Sequence, residues 1–429
     1  MANLLHAPRG TLDVTPDQVY KWQYVEQTAR RTAATFGFEE IRFPTFEYTE
    51  LFSRGVGDTT DVVQKEMYTF EDRGGRSITL RPEGTASTVR ALLQNGLAGG
   101  PLPLKLFYLI SCFRGERPQA GRLREFHQFG AELFGAAGAA ADVELIELAG
   151  AALKALGVKD LRLELNSIGC PTCRKDYHAA LKAYFKARET ELCDDCKNRL
   201  ERNPMRLLDC KVPTCKAIAK DAPVVTDYLC DDCKAHFEDV KARLTDAGQT
   251  FVLNPRIVRG LDYYTRTVFE FVDEAQGLTV CGGGRYDGLV SELGGPSLPG
   301  LGFGMGLERL LILMESQGCA FPPAPKGLVY IGAIGGPASQ KAAALARTLR
   351  AAGIAAGTDL AGRSVKAQMK YADKQGFAYA VMLGDAELEN GEAALKALRG
   401  DGARTVPLEP ETFLAAVRDA AAQSTIKEG

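Results

Sequence analysis

A strand-like pattern that stops near residue 169 and resumes near residue 251 most constrains what this 429-residue chain can fold into. The block between, residues 170–247, is Lys- and Cys-rich and largely helical in its spacing, and it holds eight of the eleven cysteines. A block of foreign composition between two sets of strands reads as an insertion into one interrupted sheet domain. Before it, Gln18 to Phe36 has helical periodicity and Gly37 ends it; Glu40 to Pro44 and Ser77 to Leu80 read as strands. A helix is expected over Thr85 to Leu93, strands over Leu104 to Arg114 and Glu125 to Phe134, a helix over Ala139 to Leu156, and an alternating strand over Leu161 to Asn166. After the block, Phe251 to Leu253, Val268 to Val272 and Leu278 to Cys281 resume the strands, and Leu298 to Gly306 leads into a helix from Leu307 to Glu315.

Pro322-Pro-Ala-Pro-Lys326 reads as a linker. Beyond it, strands at Gly327 to Gly332, Ile354 to Gly357, Ala378 to Leu383 and Thr405 to Leu408 are mostly separated by helices, the βαβ alternation of an independent α/β domain. The expected division is an α+β domain over 1–325 that contains the 170–247 insertion, and a second domain over 326–429.

Composition sets limits. The chain is 45% hydrophobic and 25% charged with a formal net charge of −2, so no bulk field marks a nucleic-acid binder, although a local basic patch would suffice. No apolar run is long enough to cross a bilayer, and Met1 to His6 lacks the regions of a signal peptide; a cytoplasmic protein is expected. There is no G-x-S-x-G, only four histidines, no Walker loop and no G-x-G-x-x-G, so positioning and charge stabilisation fit better than a nucleophilic side chain.

Arg114 and Arg259 interrupt apolar, strand-like runs, and a guanidinium held inside a sheet needs an anion of matching geometry. Around Arg114 lie Glu116, Arg117, Arg122 and Arg124, and the return strand places Phe126, Gln128, Gly130 and Glu132 on one face. Gly130 would leave room there for a ligand, a carboxylate holding an ammonium group and arginines a phosphate; the bland reading is a solvated charged hairpin. Arg259 leads into Tyr263 and Tyr264, hydroxyl-bearing rings suited to a small heteroaromatic group. Gly282-Gly-Gly284 is a tight passage before Tyr286, and glycines 302, 304 and 306 open a strand face on which adenine could lie, with Arg309 beside it.

Together these segments resemble the class II aminoacyl-tRNA synthetases, specifically the histidyl-tRNA synthetase family, over nearly the whole chain. Gly37 to Glu47 resembles the family's first motif, a strand at the dimer interface; Phe113 to Gln128 resembles the second and Gly302 to Leu310 the third. Arg259-Gly-Leu-Asp-Tyr-Tyr264 and Gly282 to Leu289 resemble the two histidine-specific segments. The resemblance implies a class II antiparallel-sheet catalytic domain and a C-terminal anticodon-binding domain. It implies ligation of L-histidine to tRNA(His) through an adenylate, with ATP and Mg²⁺, by a homodimer.

By position, Arg114, Arg122 and Arg309 would bind ATP, with Arg114 and Arg259 the catalytic pair and Arg259 between the histidine carboxylate and the α-phosphate. Glu83, Gly84, Thr85, Gln128 and Glu132 would hold the amino group and its surroundings, and Tyr263, Tyr264 and Tyr286 the imidazole. Arg117 and Gln119 would meet the tRNA acceptor end. A regulatory paralogue that activates ATP phosphoribosyltransferase is disfavoured, because such proteins lack the anticodon domain and parts of the histidine-specific segments. A pure RNA-binding module would have no use for Glu83, Gln128, Glu132 and Arg259 together.

The cysteines fall as Cys170-x-x-Cys173, Cys193-x-x-Cys196, Cys210-x4-Cys215 and Cys230-x-x-Cys233. Eight thiolates suit two tetrahedral Zn²⁺ sites; the alternative is a helical insertion with packed or idle thiols. Spacing alone leaves the pairing open.

Overall fold

A computed structural model describes residues 5–57, 60–119, 121–399 and 402–425, in two compact units, 1–322 and 323–429. The first is built on an eight-stranded sheet. Its order is Glu39–Glu40, Leu104–Phe113, Glu125–Phe134, Gly300–Gly306, Thr279–Arg285, Thr265–Asp273, Leu161–Ser167 and Val252–Leu253. All interior pairings are antiparallel; the two short edge strands are parallel to their neighbours. The expected strand from Glu40 to Pro44 shrinks to Glu39–Glu40, with Ile41 N donating to Phe107 O at 2.8 Å.

Strand alternation divides the sheet's duties. Phe129, Ala131 and Leu133 point into a core with Phe269 and Phe303, covered by helices Val19–Thr35, Ala139–Ala155 and Asp231–Asp246. Gln128, Gly130 and Glu132 therefore face away from that helical layer. The opposite strand neighbours, Leu161–Ser167 and Thr265–Asp273, pair directly across the intervening Cys-rich block. That block is a set of short helices, Pro171–Lys186, Asp194–Arg202 and Pro213–Ala219, before Asp231–Asp246 rejoins the helical layer. A second sheet, of Phe46–Tyr48, Ser77–Leu80 and Thr69–Glu71, leaves Phe46, Tyr48 and Phe70 about half exposed.

Two sequence expectations change here. Gly282–Gly284 is the middle of a central strand, and Arg259 sits in the connection before Thr265–Asp273 and not in the sheet. The arginine with no exposed surface is Arg285, whose anion is supplied internally: Asp142 at 2.5 and 3.2 Å, with Asp287 at 3.1 Å. Burial opposes its charge, but those two carboxylates outweigh the cost and raise its pKa.

The second unit has a five-stranded sheet ordered Ala356–Thr358, Val329–Ala333, Tyr379–Leu383, Glu392–Ala397 and Ala403–Pro407. Its first three strands are parallel and the last two antiparallel. Glu392–Ala397, to which the periodicity assigns no element, is a strand because its alternate residues Ala393 and Leu395 are buried.

Candidate active site

Two adjoining cavities lie on the open face of the large sheet. The smaller, about 120 Å³, is lined by Glu83, Thr85, Tyr108, Leu261, Tyr263 and Tyr264 among others. The larger, about 450 Å³, is lined by Arg122, Arg309, Glu116, Glu270 and Glu308. Arg114, Gln128 and Arg259 line both.

The smaller cavity is built around a buried carboxyl. Glu132 accepts from Thr85 Oγ1 at 2.7 Å, Tyr108 OH at 2.9 Å and Tyr286 OH. Burial pushes its pKa up to about 8, against the three hydroxyl donors, which favour the ionised form. Glu83 is also buried and raised, and its oxygens accept from Thr85 N at 2.6 Å and Ala86 N at 3.0 Å, at the start of the helix Thr85–Gln94. Tyr263 stacks near Tyr264 and Tyr286, with centroids 4.8 and 5.5 Å apart. Tyr286 and Glu132 stand behind the cavity surface, while Tyr263 and Tyr264 form it.

The glycines serve the protein's own side chains. The space above Gly130 is taken by the Tyr108 ring, which also covers Gly84, so neither position is ligand room; a Cβ at either would overlap the ring. Gly302 makes way for Glu132, Gly304 for Gln128 and Gly282 for Arg259. Gly304 still lines both cavities and Gly306 the larger, so part of the expected open strand face remains.

The larger cavity gathers positive charge. Arg114 donates Nε to Pro82 O at 2.9 Å and lies over the Phe126 ring, with no carboxylate ion pair among the described residues. Arg309 is pulled below its ordinary pKa by burial and then by neighbouring Arg122 and Arg114, with Glu116 opposing. Its Nε and Nη1 donate to Gly121 O and Thr279 O, at 3.1 and 2.9 Å. Arg122 pairs with Glu116 at 3.1 Å. Arg259 pairs with Glu270 and lies over Tyr264; burial opposes its charge, and Glu270 with Tyr264 more than restores it. Arg117 and Gln119 are exposed in the hairpin loop, where Gln119 and Arg122 exchange backbone bonds of 3.0 and 2.9 Å.

Tyr108, Glu270 and the insertion residues Arg206, Asp209 and Lys211, which also line the larger cavity, escaped the sequence reading. For Tyr108 a signal existed: it shares strand parity with Leu106 and Ile110. The others are joined to the site only by distant pairing.

The cysteines form two groups, Cys170 with Cys173, Cys230 and Cys233, and Cys193 with Cys196, Cys210 and Cys215, the sulphurs of each within 4.8 Å of one another. Sγ separations of 3.6, 4.0 and 3.9 Å resemble the edge of a tetrahedron with metal–sulphur bonds of about 2.3 Å. In each group a backbone N–H points at a sulphur: Cys230 N to Cys173 Sγ at 3.1 Å, and Cys193 N to Cys215 Sγ at 3.2 Å. The donor set and geometry fit Zn²⁺.

Comparison with known proteins agrees with this geometry. The family model described as histidyl-tRNA synthetase matches residues 10–310, and an anticodon binding domain model matches 328–419. The chain is 53% identical over 409 residues to the histidine–tRNA ligase of Acetivibrio thermocellus, covering 95% of this chain and 98% of that protein. Against the histidine–tRNA ligase of Thermoanaerobacter pseudethanolicus, identity is 54% over 400 residues, 92% of this chain and 95% of that one. The crystal structure of apo S. aureus histidyl-tRNA synthetase superposes with a TM-score of 0.81 at 37% identity, over 96% of this chain and 100% of that chain. With its α+β catalytic sheet, Cys-rich insertion and anticodon-binding domain, the chain belongs to the histidyl-tRNA synthetase family.

Proposed function

We propose that the two cavities hold histidine and ATP, and that Arg114, Gln128 and Arg259 on their shared wall bring carboxylate and α-phosphate together. The chain is a class II histidine–tRNA ligase, joining L-histidine to tRNA(His) with release of AMP and pyrophosphate. The carrying observation is that shared wall: a small cavity lined by the buried carboxyl of Glu83 adjoins a larger one crowded with arginines. A carboxylate attacking phosphorus in line needs alignment and positive charge more than a base.

In this reading Glu83, Thr85, Gln128 and Glu132 bind the amino group and its surroundings, Gly84 gives Tyr108 its place, and Tyr263, Tyr264 and Tyr286 shape the imidazole pocket. Arg114 takes the α-phosphate, Arg122 and Arg309 the far phosphates. Arg259, held by Glu270, stabilises charge at the point of attack. Mg²⁺ arriving with ATP would neutralise phosphate oxygens, and Glu116, Glu270 and Glu308 offer oxygen donors in the same cavity. Arg117 and Gln119, exposed at the hairpin tip, meet the acceptor end of tRNA(His).

Each four-cysteine group holds one Zn²⁺. The exposed aromatic row Phe46, Tyr48 and Phe70 packs in a homodimer, the catalytic domain runs over 1–325 with its insertion at 170–247, the anticodon domain takes 326–429, and the protein works in the cytoplasm. Among the described residues no helix is long and apolar enough to cross a membrane. Histidine-dependent ATP–pyrophosphate exchange, followed by charging of tRNA(His), tests the central reading; exchange that ignores histidine would overturn it.

A further inference from the structure

The inner cysteine group brackets the part of the insertion that reaches the histidine cavity. Cys193 and Cys196 stand at the head of the helix Asp194–Arg202, and Cys210 follows the short turn Pro204–Leu207. Between those ligands lie Asn203 and Arg206. Both hold one oxygen of Asp262: Arg206 Nη2 at 2.7 Å and Nε at 3.2 Å, Asn203 Nδ2 at 3.0 Å. Asp262 stands between Leu261 and Tyr263, both lining the small cavity, and its backbone N–H donates to Val56 O at 3.2 Å. From the same bracketed helix, Arg199 grips Asp61 through both carboxylate oxygens, at 2.9 and 2.7 Å, beside Val62, which lines both cavities. Leu200, Met205 and Leu207 are buried in a core shared with Tyr177, Leu181 and Phe185 of the insertion, a unit small enough for a metal staple to add to its stability.

We propose that metal at Cys193, Cys196, Cys210 and Cys215 sets the histidine cavity from outside by fixing the turn that holds Arg206 on Asp262, so that Arg206 is a positioning residue for histidine. The inference rests on the smaller cavity being the histidine site. Arg206 also borders the larger cavity, but its Nε and Nη2 are turned to Asp262 and hold the chain segment that carries Tyr263 and Tyr264. Because the residues on either side of Asp262, Leu261 and Tyr263, line the smaller cavity, loosening it weakens histidine binding more than ATP binding.

Full-length protein should carry about two zinc ions per chain by elemental analysis, and Cys215→Ser about one. In pyrophosphate exchange, Cys215→Ser and Arg206→Ala should each raise the KM for histidine about tenfold and the KM for ATP by a clearly smaller factor. Arg206→Lys should recover part of the loss. The double variant should be no worse than either single one, because both break the same link. Should Cys215→Ser fail to fold, Asp262→Asn replaces it and should likewise show no added loss when combined with Arg206→Ala. Zinc-free wild-type protein, additive losses, or an equal rise in the KM for ATP would overturn the inference. Exchange that is independent of histidine in the wild type would instead sink the cavity assignment itself.

Discussion

Burial and three hydroxyl donors leave the Glu132 carboxyl with a pKa of about 8, against an ordinary value of 4.5, so at pH 7 the folded, ligand-free chain holds a proton there that the unfolded chain does not. On the proposed reading, a cationic group of histidine in the adjoining cavity favours the carboxylate form of Glu132 behind its wall and expels that proton. Calorimetry at pH 7 in two buffers of different ionisation enthalpy should therefore report close to one proton released per histidine bound, falling towards zero above pH 8. Glu132→Gln should abolish the release along with most of the affinity; equal heats in both buffers for the wild type would contradict this. The same sign applies to stability: the raised pKa costs the apo fold increasingly as pH climbs from 4.5 through 8. Arg259 carries the other residue-scale expectation. Arg259→His should lower the rate of histidine activation by about 10²-fold, comparable to losing one charge-stabilising donor. Pyrophosphate exchange within a few fold of wild type would remove Arg259 from the reaction.

At the scale of elements, the strand Gly300–Gly306 shows what glycine does in this sheet. Gly302 and Gly304 sit opposite Glu132 and Gly130 in the ladder, and their missing side chains are the space that Glu132 and Gln128 occupy. Gly302→Ala should cut histidine activation at least about tenfold and lower the melting temperature, since overpacking costs about 1–3 kcal/mol. An unchanged melting temperature with wild-type exchange would show that the ladder absorbs the methyl group. These glycines also mark what could be read in advance. The strands Leu104–Phe113 and Glu125–Phe134 carry alternating side chains, so both their extent and the face bearing Gln128 and Glu132 were legible. Gly282–Gly284 has no side chains to alternate, and its place as a central strand is set by its neighbours. Glu392–Ala397 is composed of good helix formers and becomes a strand only because two partners flank it. The arginines of the site were visible one by one, but their partners were not: Glu270 for Arg259 and Asp142 for Arg285 are tertiary pairings that no local pattern encodes.

For the whole molecule, the row formed by Phe46, Tyr48 and Phe70 is the feature a lone chain explains least. In register, Tyr48 and Phe70 both pair with Ile78, which puts them on one face of the small sheet. Sedimentation at micromolar concentration should give a dimer, and Tyr48→Glu combined with Phe70→Glu should give a folded monomer. Monomeric wild-type protein would contradict the shared interface.

The two cysteine groups are nested, with Cys193 to Cys215 lying wholly between Cys173 and Cys230. During synthesis the inner set is complete before the last outer ligands leave the ribosome, and the strand Thr265–Asp273 emerges later still. Until then Leu161–Ser167 lacks the long neighbour that covers one of its edges. If each cysteine group closes on a metal as proposed, a growing chain that cinches first the inner and then the outer set would arrive at that pairing with its long detour already gathered in. Loop length alone would cost little, since closure entropy grows only with its logarithm. The benefit of such closure would be in time: the sheet's exposed edge would wait beside a compact knot of chain instead of a loose one.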